Sequence, residues 1–381
     1  MEIKNLKKTA NRILKAIKNK EKIILYGDTD LDGATSVIIL KESIRSLGGE
    51  ICAVYFPNRE TEGYGITKKA LLCLKKLSPA LLIALDCGIG NFKEIKLANE
   101  MGFSVIVIDH HKVLDELPEA DIIVDPKQEG DNYPFKEFAT VGIAFKLSKL
   151  LLKKKMTESL EKSFLELTAL GTIADMMPKA DENKLFIEKG LKTIENSWRP
   201  GISVLLGAEF LDQYDLNTKV SKVISMLNVR DVENSLPVSF RVLTSSSSEE
   251  LKGMVEKLKK KSEERREKIN NLVHEVEKRV FQSKDSIIFE GSSDWEYMLI
   301  SAVASILCRD FEKPTFIYKQ LKKESQGTVR STSDIDSVSL MKKCKEYVIT
   351  YGGHPRASGF RIKNENIEKF KNCLIEKLCE E

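Results

Sequence analysis

Between residues 22 and 125, short apolar runs alternate with stretches of helical spacing. KIILYGD is a run of β-formers that ends on an acid, and ATSVIILKESIRSL repeats its apolar residues at helical intervals before stopping at Gly48-Gly49. ICAVYFP, ALLIALDCG and SVIVIDHH read as further strands, with ITKKALLCLKKL and FKEIKLANEMG as the helices between them. Strands that are apolar throughout and interleaved with helices predict a parallel sheet covered on both faces. Such sheets bind ligands beyond the carboxyl ends of their strands. Three of these strands end in Asp28, Asp86 and Asp109, which marks the predicted site.

Residues 140–195 carry helical patterns. A long charged stretch from about 249 to 280 has apolar residues at 251, 254, 255 and 258, and again at 269, 272, 273, 276 and 280. Everything from 259 to 268 is polar, so the pattern predicts one helix buried at both ends and bridging two domains. The run SSSSEE before it reads as a cap and linker. In residues 285–375, DSIIFEG, PTFIYKQ and GTVRS read as strands, WEYMLISAVASILCRDF as a helix, and YGGHPRASGF as a glycine-rich turn. The expected fold is α/β: a parallel-sheet catalytic domain over 1–195, a helical connector with the bridging helix over 196–283, and a smaller α/β substrate-binding domain over 284–381, with the active site in the cleft between domains.

Composition narrows this. Hydrophobic residues at 42% and charged residues at 31% are an ordinary globular mix, which excludes wholesale disorder. The net charge is 61 − 57 = +4, so any basic groove must be local. No apolar run approaches the ~18 residues of a membrane span. The basic N-terminus has no apolar signal core, and a cytoplasmic location is expected. The seven cysteines include no C-x-x-C pair, which argues against zinc and predicts reduced, mostly buried thiols. Of the four histidines, His110 and His111 are adjacent, and His354 sits among glycines.

GDTDLDGATS places Asp28, Asp30 and Asp32 in a Gly-bounded turn that opens a helix; three carboxylates this close repel unless a cation sits among them. A calcium loop would need glutamate where Ile39 stands. Asp109-His110-His111 at a strand end supplies the oxygen and nitrogen ligands accepted by Mn²⁺, Fe²⁺ or Zn²⁺. Asp175 lies in an apolar segment, GTIADMMP, where burial without a partner is costly. Together these residues suffice for a two-metal centre. In the second block, Thr328, Arg330, Ser331 and Thr332 can grip a phosphate. Gly352 and Gly353 permit close backbone approach, with His354 and Arg356 beside them. Asn58, Arg59 and Glu62-Gly63-Tyr64-Gly65 follow a strand on the metal side and could also face a phosphate.

In this arrangement, GDTDLDGA, ALDCG, Asp109-His110-His111, GTIADMMP and GGHPRASG together resemble the DHH phosphoesterase superfamily. PNRETEGYG, TVGIAFKL, the long helix and GTVRS are most similar to its RecJ-type single-strand exonucleases. The resemblance covers roughly residues 20–365 and implies a metal-dependent exonuclease on single-stranded DNA or RNA that releases mononucleotides. It further implies that Asp28, Asp30, Asp32, Asp86, His110 and Asp175 carry two Mn²⁺ or Mg²⁺ ions, with Asp86 bridging. Asp109 and His111 would join Asp86 in catalysis, His111 contacting the scissile phosphate. Asn58, Arg59, Arg230, Thr328, Arg330, Ser331, Gly352, Gly353 and His354 would meet the substrate. Two departures stand out: N-A-A-G-R appears only as Asn228-Val229-Arg230, and W-H-x-G-V-I-G is replaced by WEYMLISA. The chain as given shows nothing like the oligonucleotide-binding domain of the bacterial enzymes and so resembles compact archaeal relatives, some of which associate with the replication complex GINS. Other members of the superfamily supply two alternatives: a structural, GINS-binding replisome subunit, or an oligoribonuclease or small-nucleotide phosphodiesterase.

Overall fold

The computed structural model describes residues 2–59, 61–113, 116–229, 231–281 and 285–379. The chain divides into two units, Met1–Lys261 and Ser262–Glu381.

The first unit begins with α1 (Leu6–Lys18), β1 (Ile23–Gly27), α2 (Leu31–Ser46), β2 (Ile51–Tyr55), α3 (Lys68–Leu74), β3 (Ala80–Leu85), α4 (Phe92–Glu100), β4 (Phe103–Ile108) and β5 (Ile122–Val124). The five strands form one parallel sheet in the order β2-β1-β3-β4-β5. Alternate residues of each strand face opposite sides. Ile23, Leu25, Leu81, Ile83, Ile106 and Ile108 pack with α1 and α2, whereas Ile24, Tyr26, Leu82, Ala84, Val105 and Val107 pack with α3 and α4. This two-sided burial is why the strands read as unbroken apolar runs.

The helices α5 (Thr140–Leu152), α6 (Glu158–Ala174), α7 (Asp181–Ile194), α8 (Pro200–Leu206), α9 (Leu216–Leu227) and α10 (Val238–Thr244) extend the α1/α2 layer. A two-residue ladder, β6 (Val232–Glu233) with β7 (Leu236–Pro237), precedes α10. Arg199 at the head of α8 is 3% exposed and donates to both carboxylate oxygens of Glu42 on α2, at 2.9 and 2.6 Å, and to Ser163 on α6. That fork ties α8 to the sheet's helical layer.

The helix α11 (Ser248–Val280) starts on Ser247, whose hydroxyl accepts from the Glu250 amide. Leu251, Val255 and Leu258 belong to the first unit's core; Ile269, Leu272, Val273, Val276 and Val280 belong to the second's. No residue from 259 to 268 is buried, in line with its polar sequence.

The second unit continues with β8 (Ile288–Ser292), α12 (Tyr297–Phe311), β9 (Thr315–Gln320), β10 (Glu324–Arg330), α13 (Ser337–Lys343), β11 (Val348–His354), β12 (Ala357–Lys363) and α14 (Ile367–Cys379). Its sheet runs β11-β12-β10-β9-β8, antiparallel except for β8 with β9. The segments α11 and α12 cover one face; α14 and α13 pack with Phe289, Phe316, Val329, Phe360 and Ile362 on the other. The sequence GGHPRASG is thus mostly strand: Gly352, Gly353 and His354 end β11, and only Pro355-Arg356 turns the chain into β12.

The cysteines depart from expectation. Cys344 and Cys373 form a disulfide joining the end of α13 to α14, and Cys52 and Cys73 are exposed; Cys87 and Cys308 are buried thiols. The pair spans 29 positions and lacks any short motif, so no spacing announced it. No helix among the described residues is long and apolar enough to cross a membrane.

Candidate active site

The carboxyl ends of β1, β3 and β4 deliver Asp28, Asp86 and Asp109 to one edge of the first sheet. The chain leaves β1 into α2 so tightly that a Cβ on Gly33 would lie 2.3 Å from the Asp28 carbonyl oxygen; only glycine fits there. Asp30 caps α2 by accepting from the Gly33 amide. Asp32, 1% exposed, accepts from the Thr140 and Val141 amides, both at 2.8 Å, so the N-terminus of α5 is turned onto this carboxylate. Asp86 has φ of 62°, a left-handed conformation unusual for aspartate, and accepts from the Thr140 hydroxyl at 3.1 Å.

His110 joins these acids. Its Nδ1 lies 2.7 Å from the Phe138 carbonyl oxygen. A carbonyl can only accept, so the proton resides on Nδ1 and the Nε2 lone pair is aimed at the acids. Nε2 lies 3.3 Å from Asp86, 3.4 Å from Asp175 and 3.8 Å from Asp32. Asp175 follows α6, and its Oδ2 is buried with no hydrogen-bond partner among the described residues. Ligand atoms of Asp32, His110 and Asp175 lie within 4.8 Å of one another, as do those of Asp28, Asp30 and Asp86.

Electrostatics mirror this crowding. Burial, then Asp30, raises Asp32 to about 7. Asp86 is held well above the usual carboxylate range by burial and by Asp32, Asp30 and Asp175; Asp175 is raised likewise by burial, Asp32 and Asp30. Carboxylates converging on an imidazole lone pair repel in the bare protein and suit a divalent cation.

Asp109 and His111 form a different pair. Burial penalises the Asp109 charge, but His111, His110 and the Ile89 amide outweigh it and hold the carboxyl well below its ordinary range. Its Oδ1 accepts His111 Nδ1–H at 2.7 Å and the amides of both histidines. Burial likewise works against the His111 cation, yet Asp109 raises it to about 9. The Tyr64 hydroxyl lies 3.3 Å from His111 Nε2.

Of the residues read as substrate contacts, Arg59 is turned inward: it pairs with both oxygens of Asp28 and, at 3.1 Å, with Asp30. Two neighbouring acids are a stronger local attraction than an open face. Asn58 shapes its own loop, its side chain accepting from the Thr61 amide. Arg230 lies outside the described residues. Several groups were assigned no role from the sequence. Phe138 and Thr140 act partly through backbone atoms, which no side-chain motif announces. Asn228 accepts from the Leu31 amide at 3.2 Å, tying the end of α9 to the head of α2. Asp125 is fully buried at the end of β5, a fourth strand-end acid. Its Oδ1 accepts from the Lys127 amide, and its Oδ2 has no hydrogen-bond partner among the described residues. The run IIVD carried that signal.

In the second unit, register assembles the other predicted set. Thr328, Gly359 and Gly352 lie in one row across β10, β12 and β11, and Arg330, Ala357 and His354 in another two residues on. Rows two apart share a face, so Thr328, Arg330 and His354 stand on one side of the sheet. Gly353 lies between the rows at φ of 128°, where a Cβ would meet the Ala357 carbonyl oxygen at 2.7 Å. The Ser331 amide donates to the Arg356 carbonyl, and its buried hydroxyl has no hydrogen-bond partner among the described residues.

Residues 22–172 match the DHH family, N-terminal domain, and residues 284–380 the DHHA1 domain. The chain is similar to the single-stranded-DNA-specific exonuclease RecJ of Bacillus subtilis, with 33% identity over 384 residues, covering 98% of this chain and 48% of that protein. RecJ of Thermus thermophilus is 27% identical over 97% of this chain and 54% of its own length. The chain thus spans about half the length of these two relatives. The fold is similar to a crystal structure of exonuclease RecJ bound to manganese (TM-score 0.78, 24% identity, all of this chain and 96% of that one). It is also similar to Thermus thermophilus RecJ with Mn²⁺ (TM-score 0.84, 23% identity, all of this chain and 55% of that one). Strand-end acids, paired histidines and both domain matches make this chain a RecJ-like member of the DHH superfamily.

Proposed function

We propose that this chain is a divalent-cation-dependent exonuclease that hydrolyses phosphodiester bonds of single-stranded nucleic acid and releases mononucleotides. The observation that carries the reading is the convergence of Asp32, Asp86 and Asp175 on His110 Nε2, all within 3.8 Å. This donor set fits two divalent cations, held by Asp28, Asp30, Asp32, Asp86, His110 and Asp175. Manganese and magnesium are the ions to supply first, because RecJ structures are described with each. Bound cations of this kind contribute Lewis acidity and neutralise charge that builds up on phosphate.

The chain's own groups do the remaining work. Asp109 fixes the tautomer and orientation of His111 and keeps it cationic at neutral pH, so that it can meet a phosphate oxygen. Phe138 holds His110, and the Thr140 hydroxyl and α5 amides hold Asp86 and Asp32, so that the site is set before substrate arrives. In the second unit, Thr328, Arg330 and His354 anchor a terminal phosphate of the strand. DNA is the substrate to try first, since the relatives are described as single-stranded-DNA-specific. The reading requires a single strand as partner; it does not require GINS.

Digestion of 5′- and 3′-labelled DNA and RNA strands with Mn²⁺, Mg²⁺ or EDTA tests the reaction, polarity and sugar preference together. Asp86→Ala is expected to abolish cleavage with thermal unfolding still cooperative. Retained cleavage by that variant in saturating Mn²⁺ would refute the assignment.

A further inference from the structure

Arg330 ends β10 half-buried, beside α12. All three of its guanidinium nitrogens are tied down. Its Nε donates to Ser305 Oγ at 3.0 Å and Nη2 to Ser301 Oγ at 2.6 Å. Its Nη1 donates to Thr328 Oγ1 at 3.2 Å and to the Val329 carbonyl at 2.8 Å. Ser301 and Ser305 are one helical turn apart and so present two hydroxyls to one edge of the guanidinium. Ser305 directs its own O–H to the Ser301 carbonyl at 3.0 Å, which fixes that hydroxyl as an acceptor for Arg330.

A long cationic side chain on a sheet surface loses rotamer freedom when it grips an anion. One already held in place gives up little on binding. We propose that Ser301 is a positioning residue: with Ser305 it presets the Arg330 guanidinium, so that the terminal phosphate of a single strand meets a positive charge already fixed in place. This rests on the exonuclease reading and on Arg330 as the phosphate anchor.

The test is fluorescence anisotropy of single strands phosphorylated at the 5′ end, the 3′ end or neither, in EDTA, with kcat and KM measured separately in Mn²⁺. Ser301→Ala is expected to weaken the preferred phosphorylated strand roughly tenfold, as loss of a hydrogen bond to a charged group does, and to leave the unphosphorylated strand unchanged. KM rises by a similar factor while kcat holds. Ser301→Thr restores binding. In an Arg330→Ala background, Ser301→Ala has no further effect. Equal loss for both strand types, additivity with Arg330→Ala, no loss, or a changed melting temperature in Ser301→Ala would each overturn the proposal while leaving the exonuclease reading intact. A wild-type protein that neither binds nor digests single strands would overturn both.

Discussion

Asp125→Asn probes the electrostatics of the sheet edge at a residue outside the expected ligand set. Asp125 is fully buried; burial, then Asp109, raises it from 3.8 to about 8. The native state therefore binds a proton that the unfolded chain has already released through most of the range between those values. Where the native state binds more protons, stability falls as pH rises. This group's contribution is full below about 4 and is lost progressively as the pH climbs through about 8. At ~1.4 kcal/mol per unit, the interval from pH 5 to pH 8 has a ceiling of about 4 kcal/mol. Rearrangement of polar groups around the ionised carboxylate offsets part of that, and ~2 kcal/mol is the expected difference. Asparagine keeps the shape and the acceptor for the Lys127 amide without the charge. Urea unfolding of wild type and variant in EDTA at pH 5, 6.5 and 8 reads the difference directly. The variant's relative stability should grow with pH. Parallel curves would refute the reasoning, because the titrations of Asp32, Asp86 and Asp175 are common to both proteins.

Three further outcomes follow from described contacts. Asp109→Asn should drop the His111 pKa from about 9 towards its ordinary 6.5; the stability of this pair is full below about 6.5 and lost as pH rises through about 9. Proton NMR titration of the metal-free protein reads this, and an unmoved imidazole resonance would count against the pair. Arg199→Ala leaves Glu42 without its fork and should cost about 3–5 kcal/mol by denaturant titration; a loss below ~1 kcal/mol would show that α8 is held by apolar packing alone. Protein unfolded without reductant should show two fewer reactive thiols than its seven cysteines, and reduction should cost the second unit ~2–4 kcal/mol. Reaction of all seven would remove the crosslink.

What could be read from sequence followed burial. Apolar runs closed by Asp28, Asp86 and Asp109 gave the sheet and its active edge, because two-sided covering leaves only strand ends for polar residues. The long helix was equally plain, its polar middle set between two apolar seams. Short elements were not: β5 has three residues, and α8 and α10 seven each, too few for a period to emerge. Gly352-Gly353 suggested a turn, although both pair across β12, because side-chain pattern is blind to a ladder built of glycines. Backbone partners such as the Phe138 carbonyl leave no trace in residue type. The inward turn of Arg59 depended on how two acids from another segment, Asp28 and Asp30, were arranged around it.

The cross-strand alignment in the second sheet has a mechanical consequence. Arg330 and His354 are separated by two inter-strand steps, roughly 9–10 Å, and that interval is set by main-chain ladders rather than by the side chains. The sheet therefore works as a ruler whose graduations survive repainting of its surface. Inserting one residue in the Pro355-Arg356 reversal would shift the scale by one mark and turn His354 to the opposite side.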